Sequence, residues 1–293
     1  MTRILVVGDV VDDIVVRPLA TVTEASDTDA EIRCTDGGSA ANVAAWLGHL
    51  GADVRFVGRA GINGAERHRA ALAAYGVDAR VSTDPDLPTA TLVATLDPSG
   101  ERTMYVDRAA NARLGPDDLG ADVLDGVGWL HLTGYSLFDD AVRPAVLDLA
   151  GRARSKGCGV SVDPSSVGFL AGCGSETFLG WATSADLLFP NLDEGRFLIG
   201  VDEPQDVAVA LAARFPGVVL TLGARGASYA DSNGTRPAPA QPADVLDTTG
   251  AGDAFCAGFL SAWTVSPNPD RSLAAGAAAA SRAVSVVGGR PRG

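Results

Sequence analysis

Short apolar runs that stop at Gly, Asp, Asn or Pro punctuate the chain at residues 4–7, 54–57, 129–132, 160–162, 187–189 and 218–222. None alternates with polar positions, so each suits a strand buried on both faces, as in a parallel sheet covered by helices. Between them, stretches rich in Ala, Leu and Arg predict helices over residues 40–50, 64–75, 141–155, 204–214, 252–263 and 272–287. Strand and helix alternate. That rhythm predicts a doubly wound α/β fold with a mostly parallel sheet, whose ligands collect at the carboxyl ends of its strands.

Two segments break the rhythm with Thr, Val, Ile and Leu patterns and no helix between them. In the second, Asp97-Pro98-Ser99-Gly100 is a turn signal flanked by strand-like residues. The expectation is a small inserted β-sheet, residues 14–33 and 88–107, acting as a lid on a core of residues 1–13, 34–87 and 108–293. An antiparallel edge extension of the main sheet is the alternative. Pro237-Ala238-Pro239-Ala240-Gln241-Pro242 reads as a rigid approach to the segment that follows it.

Charge narrows the partners. Acidic residues outnumber basic ones 36 to 23, a net charge of −13, which disfavours nucleic acid and anionic membrane surfaces. Lys156 is the single lysine, so neither a G-x-x-x-x-G-K-[ST] phosphate loop nor the lysine of a protein kinase is available. His49, His68 and His131 are scattered, and Cys34, Cys158, Cys173 and Cys256 form no C-x-x-C pair, so no zinc spacing is present. Met1-Thr2-Arg3 runs straight into a strand-like segment, too short a lead for a signal peptide, and no apolar run reaches the ~18 residues of a membrane span. A cytoplasmic protein is expected.

The segment richest in chemistry is Asp247-Thr248-Thr249-Gly250-Ala251-Gly252-Asp253, running into a helix that reads as amphipathic through Phe259, Leu260 and Trp263. Two glycines let backbone N–H groups converge at a helix start, where unpaired donors and the helix dipole favour an anion. Such a nest holds a phosphate without any lysine. Asp253 is a carboxylate beside that nest, suited to take a proton from an attacking hydroxyl; a helix cap beside a tight turn is the plainer alternative.

Other pieces fall in order around it: Gly37-Gly38-Ser39-Ala40-Ala41-Asn42, Gly58-Arg59-Ala60-Gly61-Ile62-Asn63-Gly64, Asn111-Ala112-Arg113-Leu114, Asn191-Leu192-Asp193-Glu194 and Thr221-Leu222-Gly223-Ala224-Arg225-Gly226. Together with the Gly250–Asp253 segment they resemble the ribokinase-like (PfkB) carbohydrate kinase family, over nearly the whole chain from Gly8 to Gly289. The resemblance implies a ribokinase-like fold and ATP- and Mg²⁺-dependent phosphorylation of a hydroxymethyl group on a small sugar. It implies that Asp253 is the base, with Gly250, Ala251 and Gly252 as the anion hole. Asn191 and Glu194 would sit at the nucleotide and its Mg²⁺, the metal held through water, and Thr221, Gly223 and Gly226 in the nucleotide-binding turn. Asp247 and Thr249 are similar to residues of a monovalent-cation site, implying K⁺. In Gly8-Asp9-Val10-Val11-Asp12-Asp13, Asp13 would grip sugar hydroxyls, with Gly37, Gly38 and Asn42 completing the pocket. A homodimer through the lid strands is a further implication.

The chain departs from ribokinases proper, which read Gly-Gly-Lys-Gly-Ala-Asn where Gly37–Asn42 stands, so D-ribose itself is in doubt. Ile62-Asn63 also replaces an acidic residue common in relatives. A nucleoside kinase remains open, although Tyr105 is nearly alone among lid aromatics, which favours a free sugar. A keto-deoxy sugar acid kinase is open through Arg108, placed to clamp a carboxylate. A non-catalytic sugar or nucleotide sensor would have no need of Asp253, and no G-x-G-x-x-G follows the first strand as an NAD enzyme requires.

Overall fold

The computed structural model describes residues 2–96 and 102–292, so the turn expected at residues 97–100 lies outside the described residues. The chain runs β1 (Arg3–Val7), β2 (Val11–Pro18), β3 (Ala30–Gly37), α1 (Ser39–His49), β4 (Val54–Gly61), α2 (Ala65–Ala73), β5 (Asp78–Asp84), β6 (Ala90–Leu96) and β7 (Arg102–Asp107). It continues β8 (Val127–Thr133), α3 (Gly134–Phe138), α4 (Arg143–Ser155), β9 (Gly159–Asp163), α5 (Val167–Cys173), α6 (Ser175–Trp181), β10 (Leu187–Leu188) and α7 (Leu192–Ile199). The last elements are α8 (Pro204–Ala212), β11 (Gly217–Thr221), β12 (Ala227–Asp231), β13 (Gly234–Ala238), α9 (Ala251–Trp263) and α10 (Pro269–Val284).

Nine strands form the main sheet in the order β13-β12-β11-β10-β9-β8-β1-β4-β5, parallel from β11 to β5. The apolar runs lie where burial on both faces demands them: Ile4, Leu5, Val6 and Val7 of β1 are each 0% exposed. β5 escaped the apolar-run reading because its Asp-Ala-Arg-Val-Ser-Thr-Asp sequence suits a sheet edge. The Pro-rich stretch is in part a strand: β13 carries Pro237 at the opposite edge, where no ladder partner needs its missing N–H. Chain order reverses between β1 and β8, so a crevice opens beyond their carboxyl ends.

The small sheet is separate, not an edge extension, with order β3-β2-β6-β7. Its strands begin at Val11 and run to Gly37, beyond the limits of 14–33 expected above, so Asp13 and Gly37 belong to it. β2 pairs antiparallel with β3 and parallel with β6, and β6 antiparallel with β7.

α9 corrects the expectation of an amphipathic helix. Ala254 to Leu260 are all buried, with Ala262, so the helix is enclosed on nearly every side. Small residues let α10 approach: a Cβ on Gly258 would lie 2.5 Å from the Ala275 carbonyl oxygen. That packing fixes where the N-terminus of α9 points. No helix among the described residues is long and apolar enough to cross a membrane.

Candidate active site

A cleft of about 440 Å³ opens at the carboxyl ends of β1, β8 and β9, between the main sheet and the small one. Asp253, in the first turn of α9, is partly buried in its wall. Asp253 Oδ1 accepts from the Ser39 hydroxyl at 2.8 Å and Oδ2 from the Asn42 amide at 2.9 Å. Burial pushes this carboxyl up to about 6; the bonds from Asn42 and Ser39 restrain the rise, and the charge of Asp9 adds to it. The result is a base poised just below neutrality and held by two donors.

Asp9 and Asp12 separate from Asp13 on geometry. Asp9 caps α1, accepting from the N–H groups of Ser39 at 2.7 Å and Ala40 at 3.2 Å and from the Thr133 hydroxyl at 3.1 Å. Asp12 turns away from the cleft to His68 Nε2 at 2.8 Å and to Arg67. The Asp13 carboxyl is pushed up to about 7 by burial and then by the charge of Asp9, with Arg290 opposing. Gly37 makes room for it, since a Cβ there would lie 2.1 Å from Asp13 Oδ2. Gly38, at φ +96°, would bring a Cβ within 2.6 Å of the Asp9 carbonyl.

On the far side, Asn191 and Glu194 form a capping box at the start of α7: Asn191 N–H donates to Glu194 Oε2 at 2.9 Å, and Glu194 N–H to Asn191 Oδ1 at 2.9 Å. Glu194 is 3% exposed. Burial drives its carboxyl and that of Asp163, at the end of β9, above the usual range; the charge of Asp193 adds to the rise of Glu194, and the charges of Glu194 and Asp253 add to that of Asp163. One buried and one half-buried carboxylate, offering oxygen ligands only, are the donor chemistry of a hard divalent cation such as Mg²⁺. Arg108 is the one basic residue among those described lining the cleft.

A model of the pfkB family carbohydrate kinases matches residues 1–292. The chain belongs to that family. It is 31% identical over 285 residues to a fructokinase of Klebsiella pneumoniae, covering 93% of this chain and 88% of that one. It is likewise 31% identical over 268 residues to an aminoimidazole riboside kinase of Salmonella typhimurium, covering 89% of this chain and 80% of the relative. The solved structure of a probable sugar kinase from Rhizobium etli superposes with a TM-score of 0.89 at 25% identity, over 100% of this chain and 96% of the other. The chain is therefore a pfkB-family kinase acting on a sugar or a nucleoside.

In this pfkB kinase the cleft gathers Asp13, Gly38, Asn42, Arg108, Asn191, Glu194, Thr221, Thr249, Gly250, Gly252 and Asp253, all expected from sequence. Five expected residues lie outside that lining. Gly37 and Asp247 position others: Asp247 Oδ1 accepts the Thr249 N–H at 2.9 Å and hydroxyl at 2.6 Å, and Oδ2 accepts the Gly288 N–H at 3.0 Å. Gly223 and Gly226 form the turn after Thr221 and line no part of the cleft. The Ala251 N–H donates to the Thr248 carbonyl at 3.2 Å, and Ala251 is absent from the cleft lining. Sequence reading missed Ser39, Asp163, Tyr135, Phe169 and Met104 as cleft residues. Tyr105, weighed there as a lid aromatic, lies outside the cleft lining and is 61% exposed.

Two outcomes follow for the kinase. A base must be ionised to take a proton, so with Asp253 in that role kcat is expected to fall about tenfold per pH unit below about 6. Ser39→Ala removes a donor to the ionised form and moves that acid limb to higher pH, by up to about one pH unit; a pH–rate series in which the limb stays put separates the limb from Asp253. Asp13→Ala raises the acceptor KM about tenfold or more and leaves the ATP KM nearly intact. Steady-state kinetics with both substrates varied read this directly, and equal losses on both would place Asp13 outside the acceptor pocket.

Proposed function

We propose that this kinase transfers the terminal phosphoryl group of ATP, with Mg²⁺, to a hydroxymethyl group of a small sugar. The observation that carries the reading is Asp253: a carboxylate raised to about 6, held by Ser39 and Asn42, at the mouth of a helix N-terminus. Asp13 accepts hydrogen bonds from the acceptor's other hydroxyls and fixes which carbon faces Asp253. Asp253 accepts the proton of the attacking hydroxyl as the new O–P bond forms and the bond from the terminal phosphorus to the bridging oxygen breaks, with ADP as the leaving group.

The opening N–H groups of α9, with Ala251's directed inward, offer Gly252 and Asp253 as donors to phosphate oxygens. Gly250 makes that approach available, at φ +73° and with Gly289 so near that a Cβ would lie 2.5 Å from its Cα. Glu194 and Asp163 would hold Mg²⁺, which when bound neutralises charge on the transferring phosphates. Asn191 fixes Glu194, and Thr221 flanks the nucleotide. The small sheet acts as the lid over the acceptor, excluding water from transfer.

The sugar-acid alternative loses support, because the Arg108 Nη2 already donates to the Tyr135 carbonyl at 2.5 Å and its Nε faces Asp139 at 3.8 Å. An ATP-consumption screen over pentoses, hexoses, keto-deoxy acids and nucleosides tests the reading, with the product's phosphorylated carbon assigned by NMR. Phosphate on a ring hydroxyl, or turnover confined to sugar acids, would overturn it.

A further inference from the structure

Resting on the sugar-hydroxymethyl reading above, we infer that the acceptor is a neutral sugar bearing a flat aromatic ring, the nucleoside class, rather than a free sugar. The inference comes from the wall of the cleft beyond Asp13. Pairing sets Asp13 of β2 beside Leu92 of β6, Leu92 beside Val106 of β7, and Ala94 beside Met104 one step along. Alternate residues of a strand share a face, and Leu92, Met104 and Val106 all line the cleft. Within this cleft, the small sheet thus offers the Asp13 carboxylate and, toward β6 and β7, the apolar Ala90, Leu92, Met104 and Val106, while Thr35 and Arg33 on the β3 side of the same face line a neighbouring cavity.

The facing wall is aromatic. Tyr135 and Phe169 line it with ring centroids 5.8 Å apart and nearly perpendicular, and Phe169 is stacked on Phe138 at 5.4 Å, which fixes its ring. Met104 is 62% exposed, Val106 47% and Phe169 36%, so this apolar surface stands in water within the cleft. A free pentose or hexose carries a hydroxyl on nearly every carbon. Pressed between these walls, it would leave hydroxyls without partners, a cost that an aromatic substituent avoids while covering the exposed surface.

The nearest polar groups do not change this balance. The Asn111 side chain is held by the backbone of Val10, accepting from its N–H at 3.3 Å and donating to its carbonyl at 3.1 Å. Arg108 is engaged as described, and the other charged residues lining the cleft, among those described, are carboxylates, so anionic acceptors are repelled. Asp13, Asn42 and Asp253 therefore offer hydroxyl-binding groups, the Ser165 hydroxyl is taken by the Gly134 N–H and the Asp163 carbonyl, Ser166 adds a hydroxyl to the lining, and the apolar surface of Leu92, Met104, Val106 and Phe169 stands beside them.

Two measurements test the inference. Purine and pyrimidine nucleosides are compared with D-ribose and D-fructose in kcat/KM, and the best nucleoside is expected to exceed every free sugar by at least tenfold. A free sugar that equals or exceeds it overturns the nucleoside assignment and leaves the hydroxymethyl reading standing; phosphorylation of none of them overturns both. The second measurement is the ratio of kcat/KM for that nucleoside to kcat/KM for D-ribose, which Phe169→Ala lowers about tenfold. Should Phe169→Ala misfold, Met104→Thr at an exposed position reads the same ratio. If the apolar wall serves only to pack the small sheet onto the core, both acceptors lose equally, the ratio stays constant, and the inference falls.

Discussion

Asp253→Asn lowers kcat by at least ~100-fold, the usual contribution of a general base, and the protein stays folded. The substitution is nearly isosteric and keeps the acceptor oxygen that meets the Ser39 hydroxyl. The new amide nitrogen would face the Asn42 amide, which donates to that position at 2.9 Å, so Asn42 must turn its own oxygen inward. The loss of charge works in the other direction. The Asp253 carboxyl titrates at about 6 in the folded chain, above an unfolded carboxyl near ~4, so its ionisation opposes folding. Its favourable contribution is complete below the unfolded value and is lost as pH rises through about 6. The Asn variant is thus expected to melt no lower than the parent at pH 8, and any advantage should shrink as the pH drops toward 4. Stopped assays alongside thermal melts separate the two effects. Unchanged turnover would remove Asp253 from proton transfer, whereas lost turnover with a collapsed melting temperature would trace the defect to structure instead.

Much of this architecture is written in the chain as runs and glycines. Buried parallel strands need uninterrupted apolar residues, so β1, β4, β8, β9 and β11 are legible without any partner strand in view. The turn at Gly250–Gly252 is legible because a helix start that approaches another backbone as closely as Gly250 approaches Gly289 has no room for a side chain. The Asn191–Glu194 spacing announces a capping box in four residues. Asp163 was missed although a signal was present: it directly follows the apolar run at residues 160–162, at the strand end where this fold gathers ligands.

The aromatic wall had no such signal. Met104, Tyr135 and Phe169 are far apart in sequence, and only the pairing of β6 with β7 decides that Met104 and Val106 face inward while Tyr105 faces out. A shift of one residue in that register would reverse the assignment. Arg290 is a similar case. It follows two glycines near the chain end and reads as a tail residue, yet it is 9% exposed and donates to the Gly37 carbonyl at 3.0 Å. Tertiary packing placed it there; local pattern could not.

Removal of divalent metal is expected to lower phosphoryl transfer by roughly 10³-fold or more, the equivalent of several kcal/mol of charge stabilisation. The reason lies in the cleft's own charges. Asp9, Asp13, Asp163, Glu194 and Asp253 all line it, and a polyanionic triphosphate brought among them meets repulsion unless a cation intervenes. Glu194→Gln isolates the carboxylate from the fold, because a glutamine side-chain oxygen can still accept the Asn191 N–H and preserve the capping box. The Mg²⁺ concentration for half-maximal activity should rise at least about tenfold in this variant. A second readout needs no turnover. Without metal, burial holds the Glu194 carboxyl above its usual range, so its charge opposes folding at pH 8 and the Gln variant should melt higher than the parent. Below the ordinary carboxyl range that difference should vanish, and MgCl₂ should raise the melting temperature of the parent more than that of the variant. Identical Mg²⁺ dependence in activity and in melting would detach Glu194 from the metal and leave it a helix cap.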